Sequence, residues 1–166
     1  MIATPDTDDE RTNVQRALLL SLRPRFANAI LAGTKTVELR RTRLSAPPGT
    51  PLVLYASSPI MAVVGTATLA DRHTASPAAL WRAYRDAMGL TREEFASYLA
   101  GVAQATAITI ENPHALPDPF TLAWLRRHTG FRPPQSYRYI AQGDPTPLRD
   151  LASAHTPQRH RGSYEH

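Results

Sequence analysis

Between residues 35 and 70 the chain offers three strand patterns in succession and no room for a helix between them. "KTVELRR" (35–41), "PLVLYAS" (51–57) and "AVVGTATLA" (62–70) are aliphatic or β-branched runs. Only short connections separate them, one being the proline- and glycine-containing "LSAPPG" (44–49). Parallel neighbours need a crossover of a dozen or more residues. A doubly wound parallel sheet therefore does not fit this stretch.

The flanks complete an order. "ALLLSL" (17–22) reads as a buried strand. "RPRFANAILAG" (23–33) carries Phe26, Ile30 and Leu31 on one helical stripe, with Pro24 in the first turn and Gly33 as the stop. Gly65, inside a strand run, predicts a bulge or a close backbone approach. Ser76-Pro77 opens a helix with Leu80, Trp81, Tyr84 and Met88 as its stripe, ending at Gly89. Thr91 and Glu94 form a capping box for a second helix, whose apolar face is Phe95, Tyr98 and Leu99. "QATAITIEN" (104–112) reads as a strand, "PHALPDP" (113–119) as a loop, "FTLAWLRRHTG" (120–130) as a helix and "FRPPQSYRYIA" (131–141) as an extended arm entering a last strand. The order β-α-β-β-β-α-α-β-α-β predicts an α+β fold. Its sheet is mixed and mostly antiparallel, curled or closed as a small β-barrel with flanking helices.

Residues 1–15 are polar and acidic and read as a disordered tail; they do not read as a secretory signal. The folded domain is expected over 16–142. From 143 to 166 a flexible tail is the preferred reading over a brief helical turn at "PLRDLASA". Without cysteine, a disulfide scaffold, a thiolate zinc site and a cysteine nucleophile are excluded, and a reducing cytoplasm fits. No apolar run approaches the ~20 residues of a membrane helix. The net charge of +5 is concentrated: over residues 16–143, Lys35 and fourteen arginines face seven acids. A basic body favours polyanions such as nucleic acid. An arginine-biased composition explains the same count without a partner.

Dinucleotide, P-loop and nucleophile-elbow motifs are absent, and the six histidines are scattered, three of them (His155, His160, His166) in the expected tail. His73 and His128 read as lone surface histidines. No metal and no organic cofactor is expected. Trp81 and Trp124 read as core, and Arg126 and Arg127 as a solvated face.

Lys35 is the only lysine among nineteen cations. It opens a segment in which Glu38 and Arg40, two apart on a strand, share a face. Together they can line a cleft with two cations and one acid, near Arg23 and Arg25. The plain alternative is a same-face ion pair on an exposed strand. Arginine stays charged, whereas lysine is a compact donor whose pKa moves readily, so Lys35→Arg is expected to be damaging.

"SLRPRFANAILAGTKTVELRR", followed by "PPGTPLVLYAS" and "AVVGTATL", resembles the ASCH domain family of the PUA-like superfamily. The family's G-x-K-x-x-E-x-R fingerprint reads Gly33, Lys35, Glu38 and Arg40, and "FRPPQSYRYI" resembles the family's ending. The resemblance implies a small β-barrel with helices beside a cleft, and RNA as partner. On this reading the nucleic-acid contacts are Arg23, Arg25, Lys35, Glu38, Arg40, Arg41, Tyr55, Ser57, Arg132 and Tyr137. The cations hold phosphates, Glu38 accepts from a base edge, and Tyr55, or Tyr137 and Tyr139, stacks on an unpaired base.

Two enzymatic alternatives stand beside this binding module. Lys35 and Glu38 suit a metal-independent ribonuclease, as stabiliser and base. Some small bacterial family members are amidohydrolases on N4-acylated cytidine. There the site is a lysine, a threonine three residues later and a separate glutamate. Here position 38 is glutamate, and Asp86 is the carboxylate near the expected place. Glu38 would also hold Lys35 charged, the wrong state for a base. A binder of a modified nucleoside is a further alternative, and the oligomeric state stays open.

Overall fold

The computed structural model describes residues 16–154, without the side chain of His128. The segment expected to be a disordered N-terminal tail lies outside the described residues, as do His155, His160 and His166. The elements are β1 (Leu18–Leu22), α1 (Pro24–Leu31), β2 (Val37–Arg40), β3 (Pro51–Ala56), β4 (Ala62–Ala75), α2 (Pro77–Tyr84), α3 (Arg92–Tyr98), β5 (Ala105–Thr121), α4 (Leu122–His128), β6 (Tyr137–Tyr139) and α5 (Thr146–Ala154). Among the described residues no helix is long and apolar enough to cross a membrane.

The six strands form one sheet in the order β2-β5-β4-β3-β1-β6. Only β1 and β3 run parallel, with α1 and β2 between them in the chain. The other pairings are antiparallel. The sheet curls until its two edges meet. From β2, the Arg40 guanidinium donates to the carbonyl and hydroxyl of Ser136, immediately before β6, at 3.3 and 3.1 Å. It also donates to the Ser21 carbonyl of β1 at 3.2 Å. A side chain, not a backbone ladder, thus seals the seam of this open barrel.

Strand alternation sorts the core into layers. Leu18, Leu20, Leu52, Leu54, Leu69 and Ile108 point inward, and α1 closes that interior with Ala27 and Ile30. On the outer face Leu19, Val53, Tyr55 and Val63 lie under Leu122 and Leu125 of α4 and Leu148 of α5. Val37, Leu39, Ala105 and Ala107 lie under Leu80 of α2 and Phe95 of α3. Gly65 shows both features its sequence context predicts. The β4–β5 register shifts there, and a Cβ would lie 2.5 Å from Leu31 of α1 and 2.6 Å from the His114 carbonyl.

Two expectations change. Residues 113–119 are not a loop: β5 continues through Pro113, Pro117 and Pro119 to Thr121. β2 pairs with residues 106–109 of β5, and the Ile110 N–H donates to the Thr36 carbonyl; past that point no described strand lies on that edge, so proline costs no ladder bond. Positive φ at Asn112 and the register shifts carry the strand around the bend. At the other end, residues 146–154 form α5 rather than a tail, because Leu148 is fully buried in the outer core.

Candidate functional site

The sealed seam leaves a cavity of about 540 Å³ beside it. One wall is the end of β1 and the start of α1, the floor is the Lys35–Arg40 segment, and the opposite wall is α3.

The floor follows from β2 being covered on both sides. Val37 and Leu39 go to the outer core, so Glu38 and Arg40 turn inward. Lys35 precedes the strand, where the chain is not yet extended, and its side chain reaches the same interior. All three are buried: Lys35 is 2 % exposed, Glu38 8 % and Arg40 6 %. The Lys35 ammonium lies 3.7 Å from Glu38 Oε2, and the Arg40 guanidinium 4.0 Å from Glu38 Oε1. Lys35 also donates to the carbonyl of Met88 and stands 4.9 Å over the Phe26 ring. Gly89, in the left-handed region at φ +65°, turns the chain past the Lys35 stem.

The triad is incompletely satisfied. Glu38 Oε2 and Arg40 Nε are buried without a hydrogen-bond partner. Burial lowers the Lys35 pKa below the usual lysine value, and the opposing attraction of Glu38 does not restore it. Glu38 favours the charged lysine, as expected, but desolvation of the ammonium outweighs it. Desolvation acts on an ammonium with almost no water contact, and the 3.7 Å pair is too long to compensate.

Of the residues selected from sequence, Arg23, Lys35, Glu38, Arg40 and Ser57 line the cavity together. Arg25 sits outside it, exposed, and pairs at 2.7 Å with Glu94, which does line it. Arg41 is exposed and reaches the Ala100 carbonyl at 3.5 Å. Arg132 is exposed and its carbonyl accepts from Arg138. Tyr55 needs correcting as a stacking residue: it is 3 % exposed in the outer core, and burial raises its phenol pKa. Tyr137 and Tyr139 pack against the inner core. Asp86 is exposed and does not line the cavity. His73 bonds the Tyr84 hydroxyl at 3.1 Å, and the side chain of His128 lies outside what the structure describes. Among the described residues no group of three or more His, Asp or Glu is placed to share a metal ion.

The sequence shows α3 as a helix but does not mark it as a wall of the site. Glu94, Ser97 and Tyr98 stand at i, i+3 and i+4 and present one face to the cavity, while Phe95 and Leu99 go to the core. A polar stripe beside an apolar one was the available signal. Tyr98 had been placed on the apolar side. Phe26, taken as a core residue of α1, also lines the cavity.

A curled mixed sheet with a charged cleft at its seam and helices on its outer face defines a PUA-like barrel. A family model described as a domain of unknown function, DUF365, matches residues 17–124. A Zymomonas mobilis protein named "ASCH domain-containing ribonuclease" is 31% identical over 141 residues, spanning 84% of this chain and 94% of the relative. The crystal structure of ASCH from Zymomonas mobilis superposes with a TM-score of 0.75 at 27% identity, covering 84% of this chain and 95% of that one. A Pseudomonas putida crystal structure shares the fold at a TM-score of 0.53 and 15% identity, covering 82% of this chain and 99% of that one. The chain belongs to the ASCH domain family.

Proposed function

We propose that the chain binds RNA and that the seam cleft holds it. The observation that carries this reading is the Glu38 carboxylate. It is buried, one oxygen lacks a hydrogen-bond partner, and it lines a cavity whose other charged floor residues are cations. A buried unpaired acceptor is costly unless a ligand supplies a donor. The N–H groups of a base edge do so, while exposed Arg23 at the rim suits phosphate. A cavity of this size suits a nucleotide-sized group, and the name of the Zymomonas relative points to the same ligand class.

One observation favours cleavage as a second reading. Burial shifts Lys35 toward the neutral amine relative to an exposed lysine. Its nitrogen stands 3.7 Å from Glu38, a second group able to carry a proton. One group takes the 2′-hydroxyl proton as that oxygen attacks the adjacent phosphorus, and a proton is returned to the departing 5′-oxygen. Arginine cannot serve there, which gives the single lysine a chemical reason.

The test is a paired gel. Labelled single-stranded RNA, duplex RNA and DNA are incubated with wild type and Lys35→Ala at low and physiological salt, then run native and denaturing. A shift with intact strands, weakened at least about tenfold in the variant, is expected for binding. Cleavage reduced about 10²–10⁴-fold in the variant is expected for a nuclease. Neither shift nor cleavage by wild type rejects both.

A further inference from the structure

Tyr98 stands apart from the other described tyrosines. It is 39% exposed, and the other exposed large hydrophobic residues among those described are Ile60 and Met61. Its hydroxyl donates to the Leu39 carbonyl of β2 at 3.1 Å. The residue thus bridges α3 and the cleft floor, and its ring lines the cavity. The tether fixes an aromatic side chain that would otherwise be free to rotate at the surface. Burial of the hydroxyl end raises its pKa above the usual phenol value, although Arg40 opposes this, so at neutral pH the group remains a donor.

Across the cleft, Leu22 and Phe26 line the opposite wall, and Leu90 lines the cavity on the side of Tyr98. Two aromatic rings and aliphatic side chains thus face one opening, whose floor holds the unpartnered Glu38 oxygen.

Apolar and aromatic walls with a hydrogen-bonding floor match a base that has left its stack. A duplex offers neither a free ring face nor a free pairing edge. We propose that Tyr98 is the stacking platform for an unpaired base, and that it makes the cleft selective for single-stranded RNA. The inference rests on the reading of the cleft as an RNA site and adds to it the strandedness of the ligand and the residue that reads it.

The test uses the full chain, a single-stranded RNA carrying one 2-aminopurine, and the same strand annealed to its complement. Affinity is read by anisotropy and stacking by quenching of the 2-aminopurine. Tyr98→Leu is expected to weaken single-strand binding by about 5- to 100-fold and to abolish quenching, with duplex binding unchanged. Tyr98→Phe and Tyr98→Trp, which keep a ring, are expected to bind within about threefold of wild type and to quench. Single-strand affinity or quenching retained in Tyr98→Leu overturns the inference while leaving the RNA site standing. Loss of single-strand affinity in Tyr98→Phe by more than about fivefold also overturns it, because the tether and not the ring would then matter; this arm decides even if Tyr98→Leu fails to fold. No binding of either RNA by wild type fails the RNA reading itself, and the inference with it.

Discussion

Among the described residues two buried carboxylates stand beside arginine, Glu38 and Asp144, and they are built in opposite ways. Asp144 receives two hydrogen bonds from Arg138 at 2.8 Å each and a third from the Ala141 amide at 2.7 Å. Glu38 faces its two cations at 3.7 and 4.0 Å and leaves one oxygen without a hydrogen bond. The first arrangement is complete: it ties β6, through Arg138, to the turn that leads into α5. The second is open on one side, and that side is the cleft. A charged group satisfied by its own chain is structural, whereas one left short at a cavity is available to a ligand.

The comparison breaks most visibly at Asp144. Asp144→Ala is expected to cost about 2–3 kcal/mol of folding stability, because Arg138 and the Ala141 amide lose their acceptor. The value is at the lower end for a buried pair, since Arg138 keeps about a third of its side chain in water. Urea unfolding measures this loss, and RNA affinity per folded molecule is expected to be unchanged. Lys35→Met is the mirror case. It is expected to lose less stability than Asp144→Ala, because removal of a buried ammonium offsets part of the loss of the Met88 bond and of the Glu38 counter-charge, while RNA affinity falls.

The two clusters also respond to opposite ends of the pH scale. Burial alone would raise the Asp144 pKa, but its hydrogen bonds from Arg138 and Ala141, with nearby positive charge, hold it below the ordinary 3.8. Its contribution is therefore present above about pH 4 and lost as the pH falls through the lower folded value. The stability gap between wild type and Asp144→Asn should close in acid. The Lys35 pKa is lowered below the ordinary 10.5. Between the folded value and 10.5 the unfolded chain binds more protons, so wild-type stability rises with pH. Wild type should gain on Lys35→Met as the pH rises from the lowered folded value toward 10.5, as read by paired urea titrations.

The smallest effect belongs to the Arg25–Glu94 bridge. Both side chains are well exposed, and such pairs are screened by salt. Arg25→Ala should leave the melting temperature unresolved from wild type at physiological salt. A large shift would show that the bridge closes the cleft wall and belongs with the triad.

Much of this was legible in the chain. The order of elements from β1 to β6 follows from apolar period, Pro24 and Pro77 at helix starts, and the Thr91–Glu94 capping box, all of which are local signals. β5 was cut short because prolines normally end a strand, and only the partial pairing of β2 reveals an edge that tolerates them. α5 was read as a tail because its sequence is polar around one buried leucine. Tyr55 and Tyr98 were exchanged for a similar reason. β3 is buried on both faces, so alternation alone cannot say which side is inside, and the exposed face of α3 is defined only by what packs opposite it.

By itself the sequence determined a mixed, mostly antiparallel sheet, the place of the fingerprint before and within β2, and the shared face of Glu38 and Arg40. These depend on neighbours in the chain, where steric and hydrogen-bonding preferences act over a few residues. Only the tertiary structure decided that the sheet's edges meet through Arg40, that Lys35 loses its water, that Glu38 is left one bond short, and that Tyr98 stands at the opening. Those properties belong to the low-dielectric space enclosed when segments more than fifty residues apart come together. Burial, not residue identity, sets the chemistry there.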